Sequence, residues 1–367
     1  MSLAPHLTRA AFRSLRLLDV PSVLAQVRFA ELRRRYYAAY WSRTAQEIGA
    51  TCETLEFGYT RLGRSGTSVI VRGAEVRLDD HLTLDLMGNK AMTYRLMTEL
   101  GYAVPRHLRF RVGGLAAAEA FLRDLHRPLV VKPVAGTGGG RGVTTGITDA
   151  GTLARAAWSA SRFDPDLLAE EQLDGHSYRL LFLDGRLVDA IRRDPPRVTG
   201  DGHHNIAKLV ADENRKRLSA LPFSALSPLA IDRDSRLYLA AQHLTPRSVP
   251  AMGETIIVKR AVNQNNAAEN VVVRDSVHPS TIASGARLCA ALGVRFAGID
   301  ILARDIALPL TRDNGLIGEV NTTPGLHHHH LVANAEPGLS VAGQVAEHLL
   351  SLAGEQSTSP RLNMAAA

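Results

Sequence analysis

Three oxygen-bearing side chains near the C-terminal end, Asp300, Glu319 and Asn321, have the types and spacing to hold a hard cation. They lie in Ala297-Gly298-Ile299-Asp300-Ile301-Leu302 and in Gly318-Glu319-Val320-Asn321-Thr322-Thr323-Pro324-Gly325. Both stretches read as strands, and Asp313-Asn314-Gly315 between them is a turn signal. Alternate side chains of a strand share a face, so Glu319 and Asn321 point one way while Val320 points into the core. If the strands pair, Asp300 joins them. Three hard ligands, short of a full octahedron, suit Mg²⁺ whose other positions go to water and phosphate oxygens. On these residues alone, a solvated acidic strand face stays open as the alternative.

The lysines point to a second place. Only Lys90, Lys132, Lys208, Lys216 and Lys259 occur among 43 basic residues. Arginine carries the ordinary surface charge, which marks a retained lysine as a position needing a compact, rotatable point charge. Lys90 opens a helix that Asn89 caps and Gly101 ends. A cation in a first turn opposes the helix dipole, and an anionic ligand at the same end offsets that cost. Lys132 ends the strand Leu129-Val130-Val131-Lys132-Pro133, at the base of Gly136-Thr137-Gly138-Gly139-Gly140-Arg141-Gly142. The pattern then resumes as strand, whereas the P-loop and dinucleotide fingerprints open helices. A glycine hairpin of this kind is either a flap over phosphates or a plain mobile turn.

The elements that must position these residues follow in order. Residues 1–50 read mostly as helix, with β-prone runs such as Ser68-Val69-Ile70-Val71 after them and glycines at 58, 63, 66 and 73 marking turns. Residues 149–160 read as helix and 167–173 as strand. Residues 178–183 and 186–191 form a hairpin about Asp184-Gly185. Residues 198–204 read as a loop before a helix over 205–217, 218–250 are uninformative, 254–260 are β-prone, and 279–292 are helical.

Composition excludes several classes. With 367 residues, 45% of them hydrophobic, the chain buries a large core and divides into two or three subdomains. No apolar run approaches a membrane span, and Cys52 and Cys289 make no disulfide framework, so a cytoplasmic location is the default. Cys289 falls in an apolar helical pattern that suits a buried thiol. Arg9, Arg13 and Arg16 read as a basic surface helix, with a transit peptide as the alternative. The net charge of +7 is spread, apart from Arg33-Arg34-Arg35, and aromatics are 5%. Nucleic acid is therefore a poorer partner than an acidic or phosphorylated small molecule.

Taken together, these segments resemble the ATP-grasp ligases, and among them the amide-ligase domain of cyanophycin synthetase, over roughly residues 85–335. The resemblance is carried by Asn89-Lys90, by Val131-Lys132-Pro133 with its glycine loop, and by Ala169-Glu170-Glu171-Gln172-Leu173-Asp174-Gly175 with Tyr178-Arg179. It continues through Val198-Thr199-Gly200-Asp201-Gly202, Asp212-Glu213-Asn214-Arg215, Gly298-Ile299-Asp300 and Glu319-Val320-Asn321-Thr322-Thr323-Pro324-Gly325. It implies an α/β fold in which two α+β lobes clamp ATP, beside a small mixed N-terminal subdomain. The implied boundaries are 1–84 for that subdomain, 85–165 for the first lobe with its flap, 166–350 for the C-terminal lobe with the metal site, and 351–367 for a tail. Lys90, Lys132, Gly138, Gly139 and Gly140 would meet phosphates. Glu170, Glu171 and Leu173 would meet adenine, with Glu170 accepting from its amino group, while the family's acidic ribose-binding position falls by spacing at Ser177, which is not an acid. Asp300, Glu319 and Asn321 would hold Mg²⁺, with Mn²⁺ admissible, and Arg260 and Arg179 are candidates for stabilising the transferring phosphoryl group. The implied reaction joins a small-molecule carboxylate to an amine through an acyl phosphate. A phosphotransferase and a non-ligating ATP-binding protein are the alternatives. Neither nucleic acid nor membrane is implied, and a homodimer is admissible.

Two stretches carry two readings each, the first of them a departure from the family's pattern. The segment after Lys259-Arg260 is Asn263-Gln264-Asn265-Asn266-Ala267-Ala268 in place of a glycine-bearing one, either for another acceptor or as a polar loop. His327-His328-His329-His330 lies inside the chain, and adjacent histidines in a loop cannot all converge on one ion. A substrate-side loop is the favoured reading.

Overall fold

A computed structural model describes residues 20–136, 140–335 and 338–358. The basic residues Arg9, Arg13 and Arg16 lie outside the described residues, as do Gly138 and Gly139. The chain begins with α1 (Val20–Glu47), then β1 (Thr51–Thr54), β2 (Tyr59–Arg64), β3 (Thr67–Arg72), α2 (His81–Gly88) and α3 (Lys90–Glu99). There follow β4 (His107–Phe110), α4 (Leu115–Leu125), β5 (Leu129–Pro133), β6 (Thr144–Ile147), α5 (Ala150–Ser161) and β7 (Leu167–Glu171). The next elements are β8 (His176–Leu183), β9 (Arg186–Arg193), β10 (Arg197–Thr199), α6 (Ile206–Ser219), α7 (Arg233–Ala241), β11 (Thr255–Ile257) and β12 (Asn270–Val272). Last come α8 (Pro279–Leu292), β13 (Phe296–Ala303), β14 (Gly315–Thr322) and α9 (Val341–Thr358).

Local chemistry accounts for the elements that matter to the site. Asn89 caps α3 by accepting from the Met92 N–H at 3.1 Å, and Gly101 leaves the helix at φ +80°. Asp184 and Gly185, both at positive φ, turn β8 into β9. Two expectations need correction. Residues 197–199 form the short strand β10 paired with β11, because their backbone finds a partner 58 residues on. The stretch 218–250 contains α7, started by a reciprocal cap between Asp232 and Ser235.

Two antiparallel sheets enclose the cleft. One runs β4-β7-β5-β6 and the other β12-β9-β8-β13-β14. In the five-stranded sheet Leu180, Phe182, Ile299, Ile301 and Val320 fill a core with Leu288 and Cys289 of α8. Burial there pushes the Cys289 thiol up to about 12. The opposite face is divided along its length. At one end Leu181, Leu183 and Phe296 are covered by α1 and α9. At the other end the same face carries Arg179, Gly298 and Asp300. The N-terminal segment therefore shares its core with the C-terminal helix and this sheet. Among the described residues, no helix is long and apolar enough to cross a membrane.

Candidate functional site

The wall of the cleft is set by strand register. Gly298 lies opposite Asn321 and Asp300 opposite Glu319, while Arg179 of β8 faces Asp300 from the other side. Arg179 Nη2 donates to Asp300 Oδ2 at 2.8 Å and its Nε to Oδ1. Arg193 Nη2 lies 3.1 Å from the same Oδ1 and donates to Ser177 Oγ at 2.9 Å. Burial pushes the Asp300 carboxyl up, but the two guanidiniums outweigh it and hold the group at about 2. Glu319 meets the Lys90 ammonium at 3.1 Å. Burial raises its pKa, yet Lys90 and Lys132 leave it below the ordinary value. Asn321 donates from Nδ2 to the Gly298 carbonyl at 3.2 Å, and that bond assigns its amide orientation. Its Oδ1 then accepts nothing among the described residues. Gly298 has no room for a side chain, since a Cβ there would stand 2.9 Å from Pro324 Cβ and 3.0 Å from Arg179 Cδ.

Across the cleft, Lys132 Nζ lies 2.8 Å from Glu170 Oε2, and both residues are buried. The Tyr94 hydroxyl is 2.8 Å from that oxygen and 2.8 Å from the Gly318 carbonyl, which ties the four-stranded sheet to the five-stranded one. Burial, with the Glu170 charge beside it, raises the Tyr94 pKa far above its ordinary value, so it stays a donor. Glu171 turns away. Its Oε1 accepts from the Arg106 N–H at 2.8 Å and from Arg312 Nη2 at 3.0 Å, so this side chain is held by protein.

One cavity of about 470 Å³ joins these groups. Of the residues singled out in the sequence, Lys90, Lys132, Gly140, Glu170, Glu171, Leu173, Arg179, Arg260, Asp300, Glu319 and Asn321 all line it, as does Ser177. Sequence reasoning missed Tyr94, Arg193 and Tyr238, which line it too, while Asn263 of the polar segment singled out after Lys259-Arg260 also lines it. Tyr94 had a signal, because i and i+4 share a helix face and Lys90 was already marked. Arg193 had none, since Arg192 beside it looks the same until the strand's facing is known. The glycine loop is a hairpin between the paired strands β5 and β6. Its base is anchored through Thr145, whose N–H and Oγ1 donate to buried Asp234 Oδ1 at 2.8 and 2.7 Å, and the Ala261 N–H reaches Oδ2 at 3.3 Å.

The five lysines divide by their surroundings. Lys90 and Lys132 line the cavity, and Lys259 is buried 2.5 Å from Asp232. Lys208 is an ordinary surface partner of Asp212, and Lys216 is exposed. The histidines diverge. His327 Nδ1 meets the Tyr37 hydroxyl at 2.9 Å, His329 Nδ1 meets Asp189 Oδ2 at 2.7 Å, and His330 packs on Tyr40. Among the described residues, no group of three His, Cys, Asp or Glu converges on a metal position.

Two antiparallel sheets close on a cavity lined by lysines and carboxylates, and the chain belongs to the ATP-grasp superfamily. It is 30% identical over 278 residues to a cyanophycin synthetase of Trichormus variabilis, covering 73% of this chain and 30% of that protein. It is 31% identical over 265 residues to the glutathione biosynthesis bifunctional protein GshAB of Enterococcus faecalis, covering 71% of this chain and 35% of that one. The chain thus spans 30 to 35% of the length of these relatives. A crystal structure of a bifunctional glutathione synthetase from Pasteurella multocida matches with a TM-score of 0.51 and 23% identity, over 85% of this chain and 44% of that chain. No family model matches the chain.

Proposed function

We propose that the chain is an ATP-dependent carboxylate–amine ligase that forms an amide through an acyl phosphate. One observation carries the reading: Lys90, Lys132 and Gly140 line the same cavity as Asp300, Glu319 and Asn321. Adenine lies against Glu170 and Leu173, and the phosphates run toward the two ammonium groups. The donor set fits a hard divalent ion, Mg²⁺ above all, because it offers two carboxylates held ionised and an Asn321 oxygen that accepts from none of the described residues. Bound there, such an ion neutralises charge on the phosphate oxygens.

The residues of the chain supply positioning and charge. A substrate carboxylate oxygen attacks the γ-phosphorus, the bond from that phosphorus to the β,γ-bridging oxygen breaks, and ADP leaves. Lys90, Lys132 and Arg260 face the charge that builds on the transferring group. An amine nitrogen then attacks the acyl carbon. The acyl C–O bond breaks, inorganic phosphate departs, and the amine's proton passes to phosphate or solvent. Arg179 is already committed to Asp300, so its part is to hold that carboxylate in place, and Arg260 is the better candidate for touching the phosphoryl group.

The test is ADP release by the purified chain with ATP, a divalent ion and a panel of amino acids and small peptides, with product masses recorded. The expected product weighs the sum of two substrates less one water. ADP release without such a product, or no release with any pair, overturns the ligase reading.

A further inference from the structure

The Tyr94 hydroxyl has two acceptors and one proton. It lies 2.8 Å from Glu170 Oε2 and 2.8 Å from the Gly318 carbonyl, and a phenol has a single hydrogen to donate. Lys132 Nζ, 3.4 Å from the phenolic oxygen, can donate to it but supplies nothing to the carbonyl. The proton therefore serves Glu170 or Gly318, and not both in full. Of the two, the carboxylate is the stronger acceptor, since a hydrogen bond to a charged group is roughly twice as strong as one between neutral groups.

Each acceptor leads to a different part of the cavity. Gly318 is the extra residue of a β-bulge: Asp300 pairs with Glu319 and Ile301 with Ile317, which leaves position 318 without a counterpart on β13. A bulge re-aims the side chain next to it, and here that side chain is Glu319 on the cavity wall. Tyr94 holds this bulge from outside the sheet. Glu170 belongs to the base end of the cavity. Its Oε2 takes Lys132 Nζ at 2.8 Å as well as the phenol, while its Oε1 accepts from none of the described residues. A further donor at Oε1 spreads the carboxylate's charge over more hydrogen bonds and weakens its hold on the phenol proton.

Resting on the nucleotide site described above, we propose that Tyr94 is a positioning residue that couples recognition of the base to the metal wall. An exocyclic amino group donating to Glu170 Oε1 releases the Tyr94 proton to the Gly318 carbonyl, and the bulge then holds Glu319 toward the cation. A purine without that amino group leaves the proton on Glu170 and the bulge less firmly held. Such coupling is reciprocal: if the amino group tightens the cation, the cation sharpens the preference for the amino group by the same factor.

Titration calorimetry tests this with ATP and with purine riboside triphosphate, which has hydrogen in place of the amino group, each with saturating Mg²⁺ and with EDTA. In the wild type the preference for ATP should be about fivefold greater with Mg²⁺ than without, as suits one hydrogen bond. In Tyr94→Phe the preference should be the same in both conditions. Arg312→Ala is the control. Arg312, between β13 and β14, also ties that hairpin to β7, through Glu171 Oε1 at 3.0 Å, but bonds to neither Glu170 nor Gly318. It should keep the wild-type dependence on Mg²⁺, because a merely structural tie changes all four affinities alike. A preference indifferent to Mg²⁺ in the wild type, or a dependence that survives in Tyr94→Phe or disappears in Arg312→Ala, overturns the proposal. Should Tyr94→Phe fold poorly, Glu170→Gln gives the phenol a neutral acceptor and should lose the dependence too; retention there also overturns it. If the wild type binds neither nucleotide, the nucleotide site itself has failed and the coupling falls with it.

Discussion

On the β13–β14 wall Asp300 holds two guanidiniums and Glu319 an ammonium, whereas elsewhere in the same cavity the Arg260 and Asn263 side chains have no hydrogen-bond or ion-pair partner among the described residues. The wall is compensated within the folded protein. Its charges are buried or half-buried, and each is oriented by a neighbour before any ligand arrives. The 259–266 segment is the reverse: its scaffold groups are tied down so that two side chains stay open. The difference teaches where a substitution should be felt. Removing one partner of a buried pair leaves an uncompensated charge and costs stability as well as activity. Removing an uncommitted side chain leaves the fold alone and acts on the ligand.

The largest effect expected is on turnover. Glu319→Ala or Lys132→Ala should lower ADP release by about 10²-fold or more, since each removes a group aimed at developing phosphoryl charge. Glu319→Gln keeps the shape and a bond to Lys90 while discarding the charge, which separates chemistry from folding. A near-wild-type rate in these variants would break the contrast between the two sides. Next in size is stability. Asp300→Asn strands Arg179 and Arg193, and should cost about 3–5 kcal/mol in urea unfolding, whereas Arg260→Ala should fall within about 0.5 kcal/mol of wild type. Equal losses would show that the open side is structural after all. Asp234→Ala is expected to cost less, about 1–3 kcal/mol, because it leaves the Thr145 N–H, the Thr145 hydroxyl and the Ala261 N–H without their acceptor. Faster amide exchange at Thr145 and Ala261, with little change in the β13 core, is the measurement that checks it.

The same contrast explains what could be read in advance. Helix 279–292, the Asn89 cap and the Asp184-Gly185 turn are local devices, decided by a few adjacent residues. The facing of Asp300, Glu319 and Asn321 follows from strand alternation once the two strands pair. What could not be read is decided by distant partners. Arg193 faces the cavity because its strand lies beside Ser177, and Arg192, one position before it, bonds to Asp194. Among four neighbouring amides, Asn263 is the one with no side-chain partner among the described residues, a fact that depends on Ala230, Asn270 and Glu213. The sharing of a core between α1 and α9 has no local cue at all.

The smallest effect concerns the histidines beyond the wall. Burial pushes His327 down from 6.5 to about 3, with the positive charges of Arg33 and Arg179 adding to it, and His328 moves the same way. A histidine with a depressed folded pKa binds its proton more readily in the unfolded chain. Its contribution to stability is complete above pH 6.5 and is lost as pH falls from there toward 3. Asp300 is depressed as well, but its loss falls in a lower window, between 3.8 and about 2. Melting temperature should therefore decline between pH 7 and pH 5, before the wall's carboxylate begins to protonate. Replacing both rings, His327→Gln with His328→Gln, should flatten that decline while leaving the loss below pH 4 in place. A decline that persists unchanged in the double variant would mean that other groups carry it, and that neither the contact of His327 with Tyr37 nor the positive charge of the wall's arginines near His328 couples protonation to folding.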